Sequence, residues 1–443
     1  MEHYSKSDIV KMVEEEDVEF IRLQFTDIFG SLKNVAVTTS QLEKVLNNQC
    51  VFDGSSIESF ASIGESDMYL HPELDTFVIF PWRPQSGKVA RFICDIYKPD
   101  GTPFEGSPRY ILKKTIEEAE KLGYELKVGP ECEFFLFDLG EDGEVKAQTK
   151  ESGGYFDVSP LDSGENARRE MVLMLEQMGF TVESSFHEEA NGQHEIDFKY
   201  SDAMSTADNI MTFKMAVRTI ARRHGMHATF MPKPNSDKDG SGMHINLSIE
   251  KSGRNIFAAP DMPYGLSSEA MSFMAGLISH VDEITAVTNP LVNSYKRLVP
   301  GFNAPVYESW STSNSTSMIR IPAPRGESTR IELRSPDPAA NPYLAIAVCL
   351  AAGIDGINKN LKAPEMLNIN PDSMNFANRQ KYGVRNLPGT LYEALRLMEG
   401  SPLVKKVMGE RIFDNYIEAK KKEWRDYSTQ VSEWETAHYL NRF

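Results

Sequence analysis

Glu131 and Glu133 stand two residues apart in Gly129-Pro130-Glu131-Cys132-Glu133-Phe134, and on a strand that spacing sends both carboxylates to one face. Glu188 follows, then Glu195 in Gly192-Gln193-His194-Glu195-Ile196-Asp197. His244 closes Gly240-Ser241-Gly242-Met243-His244, and Glu332 sits in Thr329-Arg330-Ile331-Glu332-Leu333-Arg334. A lone Glu-x-Glu is most often a solvated strand face, but the same pattern repeated on several strands is not. Carboxylates gathered on inner faces repel one another and lose hydration unless divalent cations neutralise them. A set of carboxylates with a single imidazole suits Mg²⁺ or Mn²⁺ better than zinc. Arg297, Arg320, Arg330 and Arg334 lie in the region feeding these strands. A guanidinium keeps its charge and matches phosphate or carboxylate oxygens bidentately. Metals beside arginines are the equipment of phosphoryl transfer, where catalysis is positioning and charge neutralisation. The chain has neither a Walker A segment nor a GxGxxG turn, so a nucleotide would be held by another scaffold.

Such side chains need strands to carry them and helices to back the strands. Ser107-Pro108 supplies an N-cap and a proline at the first helical position, which predicts a helix running to Leu122. Beyond it, strands with one polar face alternate with helices expected over 163–178, 203–223, 266–286 and 341–358. Gln193, Glu195, Asp197 and Lys199 share one strand face; Arg330, Glu332 and Arg334 share another, and His244, Asn246 and Ser248 a third. Ahead of this region, a short helix is expected over 8–15 and a hairpin from Phe20–Phe25 and Leu32–Val37 around Phe29-Gly30-Ser31. A helix over 41–46 and extended segments over 76–82 and 88–96 complete a compact unit. The Pro/Gly-rich stretch from Lys98 to Gly106 reads as a linker. The fold class is therefore α+β, with a small domain over 1–103 and a large one over 104–443. From Leu387 onward the chain reads as helical.

With 443 residues, 41% of them hydrophobic, the chain can build a large core. Its net charge of −17 leaves no basic surplus to neutralise phosphates, which argues against nucleic acid as a partner. Cys50, Cys94, Cys132 and Cys349 form no CxxC pair, so neither a zinc knuckle nor a disulfide framework is expected. The N-terminus opens no apolar h-region, and the longest apolar run, 343–354, is too short to cross a bilayer. These features predict a soluble cytoplasmic protein without a membrane partner.

Several motifs resemble type I glutamine synthetase, and the resemblance runs through the whole chain. They include Phe52-Asp53-Gly54-Ser55-Ser56-Ile57, Glu65-Ser66-Asp67-Met68-Tyr69-Leu70, Gly129–Phe137 and Thr229-Phe230-Met231-Pro232-Lys233-Pro234. Gly240–His244, Asn293–Gly301 and Ser335–Tyr343 continue the match. The resemblance implies a small N-terminal β-grasp domain and a large catalytic domain with a curved antiparallel sheet backed by helices. It implies a homododecamer of two hexameric rings, with Asp53 completing a neighbour's site. By motif position, Glu133, Glu188 and Glu195 would hold one metal, and Glu131, His244 and Glu332 the other. Gly240, Arg297 and Arg334 would meet L-glutamate, while Glu183, Asn246, Ser248, Arg320 and Arg330 would face ATP. Arg320 and Arg334 would absorb phosphoryl charge, and Asp53 would bind ammonium and take its proton.

Departures from the family pattern cluster at the chemistry. The flap Pro-Gly-Tyr-Glu-Ala-Pro is here Pro300-Gly301-Phe302-Asn303-Ala304-Pro305, without the glutamate that helps bind ammonium. Ser315 replaces a phosphate-contacting arginine, Asp239 an asparagine, and Phe186 the first of two histidines. Ser62 stands where the feedback-sensitive branch has arginine, and Asp372 where some members carry a modifiable tyrosine. The leading reading is ATP-dependent ligation of ammonia to L-glutamate through γ-glutamyl phosphate, with weakened ammonium affinity. The alternatives are a γ-glutamyl amide ligase for a larger amine, and a catalytically weakened synthetase-like regulatory or assembly protein.

Overall fold

A computed structural model describes residues 3–58, 66–83, 86–140, 142–145, 149 and 151–443, without the side chains of 372 and 376. Its first sheet has five strands: β1 Val18–Thr26, β2 Leu32–Thr38, β3 Cys50–Asp53, β4 Asp67–Ile79 and β5 Lys88–Tyr97. They lie in the order β2-β1-β5-β4-β3, with β1 and β5 parallel and the remaining neighbours antiparallel. The expected hairpin is β1–β2. Its turn is shaped by Asp27, whose Oδ1 accepts the N–H groups of Phe29 and Ser31 at 3.0 and 2.8 Å. Strand β4 starts well before the predicted residue 76, through His71-Pro72. Pro72 lies past the last β3 pair, Cys50–Leu70, where only β5 flanks it, so its missing N–H breaks no β3 pairing.

The second sheet has ten strands: β6 Glu125–Asp138, β7 Val182–His187, β8 Gln193–Phe198, β9 Ser201–Asp202, β10 Met226–Thr229, β11 Met243–Lys251, β12 Arg254–Asn255, β13 Trp310–Ser311, β14 Ile319–Arg320 and β15 Ile331–Leu333. The main path runs β13-β14-β15-β11-β6-β8-β7. It is mixed rather than purely antiparallel, because β13 and β14 run parallel. The expected helices form at Glu165–Gln177, Ala203–Arg223, Ser268–Thr288 and Pro342–Asn358. The last two pack so tightly that a Cβ at Gly276 would stand 2.2 Å from the Ala352 carbonyl, and one at Gly356 2.1 Å from that of Ser272. Only glycine fits there.

One apolar core runs through both sheets, from Ile9 to Ile417. A buried polar seam ties them: Arg109 Nε and Nη2 donate to the two oxygens of Asp208 at 3.1 and 3.0 Å, and Nη1 lies 2.5 Å from Asp95. Tyr343 donates to Asp208 at 2.7 Å. Removing one member of such a network strands a buried charge, so the Arg109→Met variant should lose about 3–5 kcal/mol, measurable by chemical denaturation. Cys50, Cys94, Cys132 and Cys349 are all buried and unpaired. No helix among the described residues is long and apolar enough to cross a membrane.

Candidate active site

Strand β6 runs through the ten-stranded sheet with β11 on one side and β8 on the other. Register then assembles the acidic residues. His244 lies opposite Glu131, Glu195 opposite Glu133, and Glu332 opposite Asn246. Cross-strand neighbours on one face stand about 4.5–5.5 Å apart at Cβ, so four strands deliver their polar side chains to one place.

Glu131, His244 and Glu332 offer ligand atoms that all lie within 4.8 Å of one another. His244 Nδ1 is 3.0 Å from Glu131 and 3.5 Å from Glu332, and its Nε2 is 3.7 Å from Glu133, which links this trio to the other carboxylates. Burial, then the charge of Arg334, pushes the His244 imidazole down, favouring the neutral form that ligates metals. Burial would raise the Glu131 carboxyl, but hydrogen bonds from His244 and Asn246 hold it below its ordinary range. Glu332 is completely buried, between Arg320 Nε at 2.5 Å and Arg334 Nη1.

Glu133 accepts from Gln193 Nε2 at 2.8 Å and from the Gly242 N–H at 2.9 Å. Even so, burial and then the charge of Glu188 push its carboxyl up to about 8. Burial, then Asp197 and Glu133, raises Glu195 well above its usual value, and burial raises Glu188. Arg297 and Arg334 act on this group only from a distance, and among the described residues none of the three carboxylates is ion-paired to a lysine or arginine. Their donor set fits a divalent cation.

The remaining predicted residues, Asp53 excepted, fall around this cage. A cavity of about 250 Å³ is lined by Glu131, Glu183, Asp197, Asn246, Ser248 and Arg330, among others. Asn246 joins cavity to cage, since its Nδ2 donates to Glu131 at 2.9 Å and its Oδ1 accepts from Arg330 Nε at 3.0 Å. Arg320 is not on this wall but on Glu332. Arg297 is buried and donates to the carbonyls of Ser335 and Arg334 at 2.8 and 3.1 Å. It crowds Gly242, where a Cβ would lie 2.5 Å from Arg297 Nη2, whereas a Cβ at Gly240 would meet the Pro232 carbonyl at 2.3 Å. The Nε atoms of Arg297 and Arg334 are buried without a hydrogen-bond partner, a cost that an anionic substrate would offset. Asp53 stands apart. It ends the edge strand β3, exposed, and accepts from Ser55 N and Oγ at 2.8 and 2.6 Å, bonds that lower its pKa.

The chain has relatives of known identity. Residues 17–99 match the family profile described as glutamine synthetase, beta-Grasp domain, and residues 105–439 match glutamine synthetase, catalytic domain. A glutamine synthetase of Clostridium saccharobutylicum is 57% identical over 443 residues, covering 100% of both chains. The chain belongs to the glutamine synthetase family. Among solved structures, a complex of GmaS with ADP superposes with a TM-score of 0.89 at 33% identity, covering 98% of this chain and 99% of the other. A glutamine synthetase of Plasmodium falciparum gives 0.87 at 25% identity, covering 99% of each.

The departures of this member of the glutamine synthetase family are also placed. Phe186 packs edge-on against Phe156 and Tyr155, with ring centroids 5.1 and 6.1 Å apart. Ser315 is exposed in the turn between β13 and β14, Asp372 lies in a short turn over Pro371–Ser373, and Ser62 lies outside the described residues. A group with no spacing signal emerges behind the β7–β8 hairpin. His187 lies 2.6 Å from Glu151 through Nε2 and 2.6 Å from the Glu188 carbonyl through Nδ1. Glu151 also accepts from the N–H groups of Gly192 and, at 3.0 Å, Ser163. Arg168 Nη1 bridges Asp162 and His194 at 2.8 and 2.7 Å. Although Glu151, Asp162, His187 and His194 bring ligand atoms within 4.8 Å of one another, Arg168 already supplies the positive charge, so the cluster reads as a buttress. His187 and His194 each precede a cage glutamate, and that adjacency was the available clue. Glu151→Ala should raise the half-saturating metal concentration about 10–100-fold, as losses of outer supports do, read by Mn²⁺ titration.

Proposed function

We propose that this enzyme ligates ammonia to L-glutamate, with ATP converted to ADP and phosphate, through a γ-glutamyl phosphate. The observation that carries the reading is the convergence of the Glu131–His244–Glu332 trio, the interacting carboxylates Glu133, Glu188 and Glu195, buried arginines and an adjoining cavity around one sheet face. Glu133, Glu188 and Glu195 would hold one Mg²⁺ or Mn²⁺ ion, and Glu131, His244 and Glu332 a second. When bound, these ions supply charge neutralisation to the phosphoryl oxygens. Glu183, Asn246, Ser248, Arg320 and Arg330 face ATP in this assignment, and Gly240, Arg297 and Arg334 receive glutamate. A carboxylate is a poor electrophile, so phosphorylation of the glutamate side chain must precede amide formation. Arg320 and Arg334 stabilise the charge on the transferring group, because both already converge on the Glu332 carboxylate.

Ammonium must lose a proton before its nitrogen can attack, and Asp53 is the residue assigned to bind it and take that proton. Its position on the far sheet supports completion of the site by a neighbouring subunit, in a dodecamer of two hexameric rings. The functional division falls at 1–103 and 104–443. Four buried, unpaired cysteines support a cytoplasmic setting. The decisive assay is glutamate-dependent ADP release with ammonium, methylamine, ethanolamine and polyamines. Ammonium should give the highest kcat/KM; a larger amine that exceeds it would overturn the assignment. With Asp372 in place of a modifiable tyrosine, no nucleotidyl adduct should appear on this loop by mass spectrometry of the purified protein.

A further inference from the structure

Two of the departures, far apart in sequence, touch. The Asn303 backbone N–H donates to Asp239 Oδ1 at 2.8 Å, tying the flap 300–305 to the loop that precedes Gly240. Beside that bond, the Lys233 ammonium lies 3.2 Å from the centre of the Phe302 ring and donates to the Lys238 carbonyl. Lys233 is itself fixed, since its N–H donates to Asn293 Oδ1 at 2.8 Å and its carbonyl accepts from Asn293 Nδ2 at 3.0 Å. The cage is one residue away. A Cβ at Gly240 would stand 3.2 Å from both Lys233 Cδ and Arg297 Cγ. The Gly240 carbonyl accepts from Gln193 Nε2 at 3.2 Å, the nitrogen that also donates to Glu133.

We propose that Asp239 is a positioning and specificity residue for the amine end of the reaction: it latches the flap through Asn303 and supplies the negative charge that Asn303 lacks. This inference rests on ammonia being the nucleophile. A neutral side chain at 303 lets the Asp239 carboxylate accept the backbone N–H without repulsion. A carboxylate at 303 would place two anions side by side, with Lys233 as the cation between the flap and the loop. The pair is therefore charge-matched, and the charge can sit at either position but not at both. Asp239 Oδ2 takes no hydrogen bond among the described residues, which leaves it for a cation.

The test is steady-state glutamine formation with ammonium varied, alongside the ratio of glutamine to ADP, for wild type, Asp239→Asn, Asp239→Ala, Asn303→Glu and the Asp239→Asn/Asn303→Glu double variant. Glutamine formation by the wild type checks the underlying reading separately. Asp239→Asn still accepts the Asn303 N–H, so it should raise the KM for ammonium about tenfold while glutamine and ADP stay equal. Asp239→Ala should do the same and release ADP in excess of glutamine, because an unlatched flap admits water. Asn303→Glu alone should impair ammonium use, and the double variant should recover the wild-type KM to within about threefold. A purely structural role would shift melting temperature and leave this KM pattern flat. The proposal is overturned if Asp239→Asn leaves the ammonium KM unchanged, or if the effects of the two substitutions simply multiply.

Discussion

Glu133→Ala and Glu332→Gln should each lower glutamate-dependent ADP release by about 10²–10³-fold, while the two proteins differ in stability. The activity loss follows from removing a metal ligand where phosphoryl charge develops, and the loss of one charge-stabilising group there costs about 10²–10³ in rate. The stability contrast follows from surroundings. Glu133 is a buried carboxyl already pushed up to about 8 by burial and by Glu188. Its removal relieves repulsion, so the metal-free Glu133→Ala protein should melt no lower than metal-free wild type. Glu332 is the counter-charge of Arg320 and Arg334, and glutamine keeps its volume while stranding both guanidiniums. Metal-free Glu332→Gln should therefore melt lower. Added Mn²⁺ should raise the melting temperature of wild type by mass action and raise that of the variants less. Thermal scans with and without chelator read all of this, and wild-type turnover with unaltered metal dependence in either variant would remove that residue from the cage.

Asp53→Ala should reduce glutamine formation by about 10²–10⁴, the usual range for a lost acid–base group, with Mn²⁺ binding unchanged. Asp53 contacts Ser55 at the edge of the first sheet, whereas the cage lies on the second. Loss of activity without loss of metal is the result expected of the proposed site completed between subunits. Mixing inactive Asp53→Ala subunits with inactive Glu332→Gln subunits, under conditions that allow the rings to exchange, should regenerate part of the activity. An active monomer in sedimentation would contradict the assignment.

The six candidate ligands could be picked out of the sequence because strand alternation puts Glu131 and Glu133 on one face and because the surrounding motifs match the family, whereas their division into two trios comes from the resemblance alone. What brings them together was not legible. The opposition of His244 to Glu131 and of Glu195 to Glu133 depends on strand register, which no local pattern specifies. Helices with strong amphipathic periods fell close to prediction, as at Ala203–Arg223. Strand β3 and the early start of β4 escaped, since β3 is only Cys50–Asp53 and β4 passes through a proline. Glu151 gave no signal because its partners, His187, Gly192 and Ser163, are distant in sequence. Asp239 and Asn303 read as unrelated changes until the flap placed one on the other.

The central claim is that the two trios hold separate divalent ions. Free Mn²⁺ measured by electron paramagnetic resonance, during titration of metal-free protein, counts those ions directly. The account predicts two bound ions per subunit for wild type, and one for each of the Glu133→Gln and Glu332→Gln variants. The same number of ions in all three proteins would contradict it.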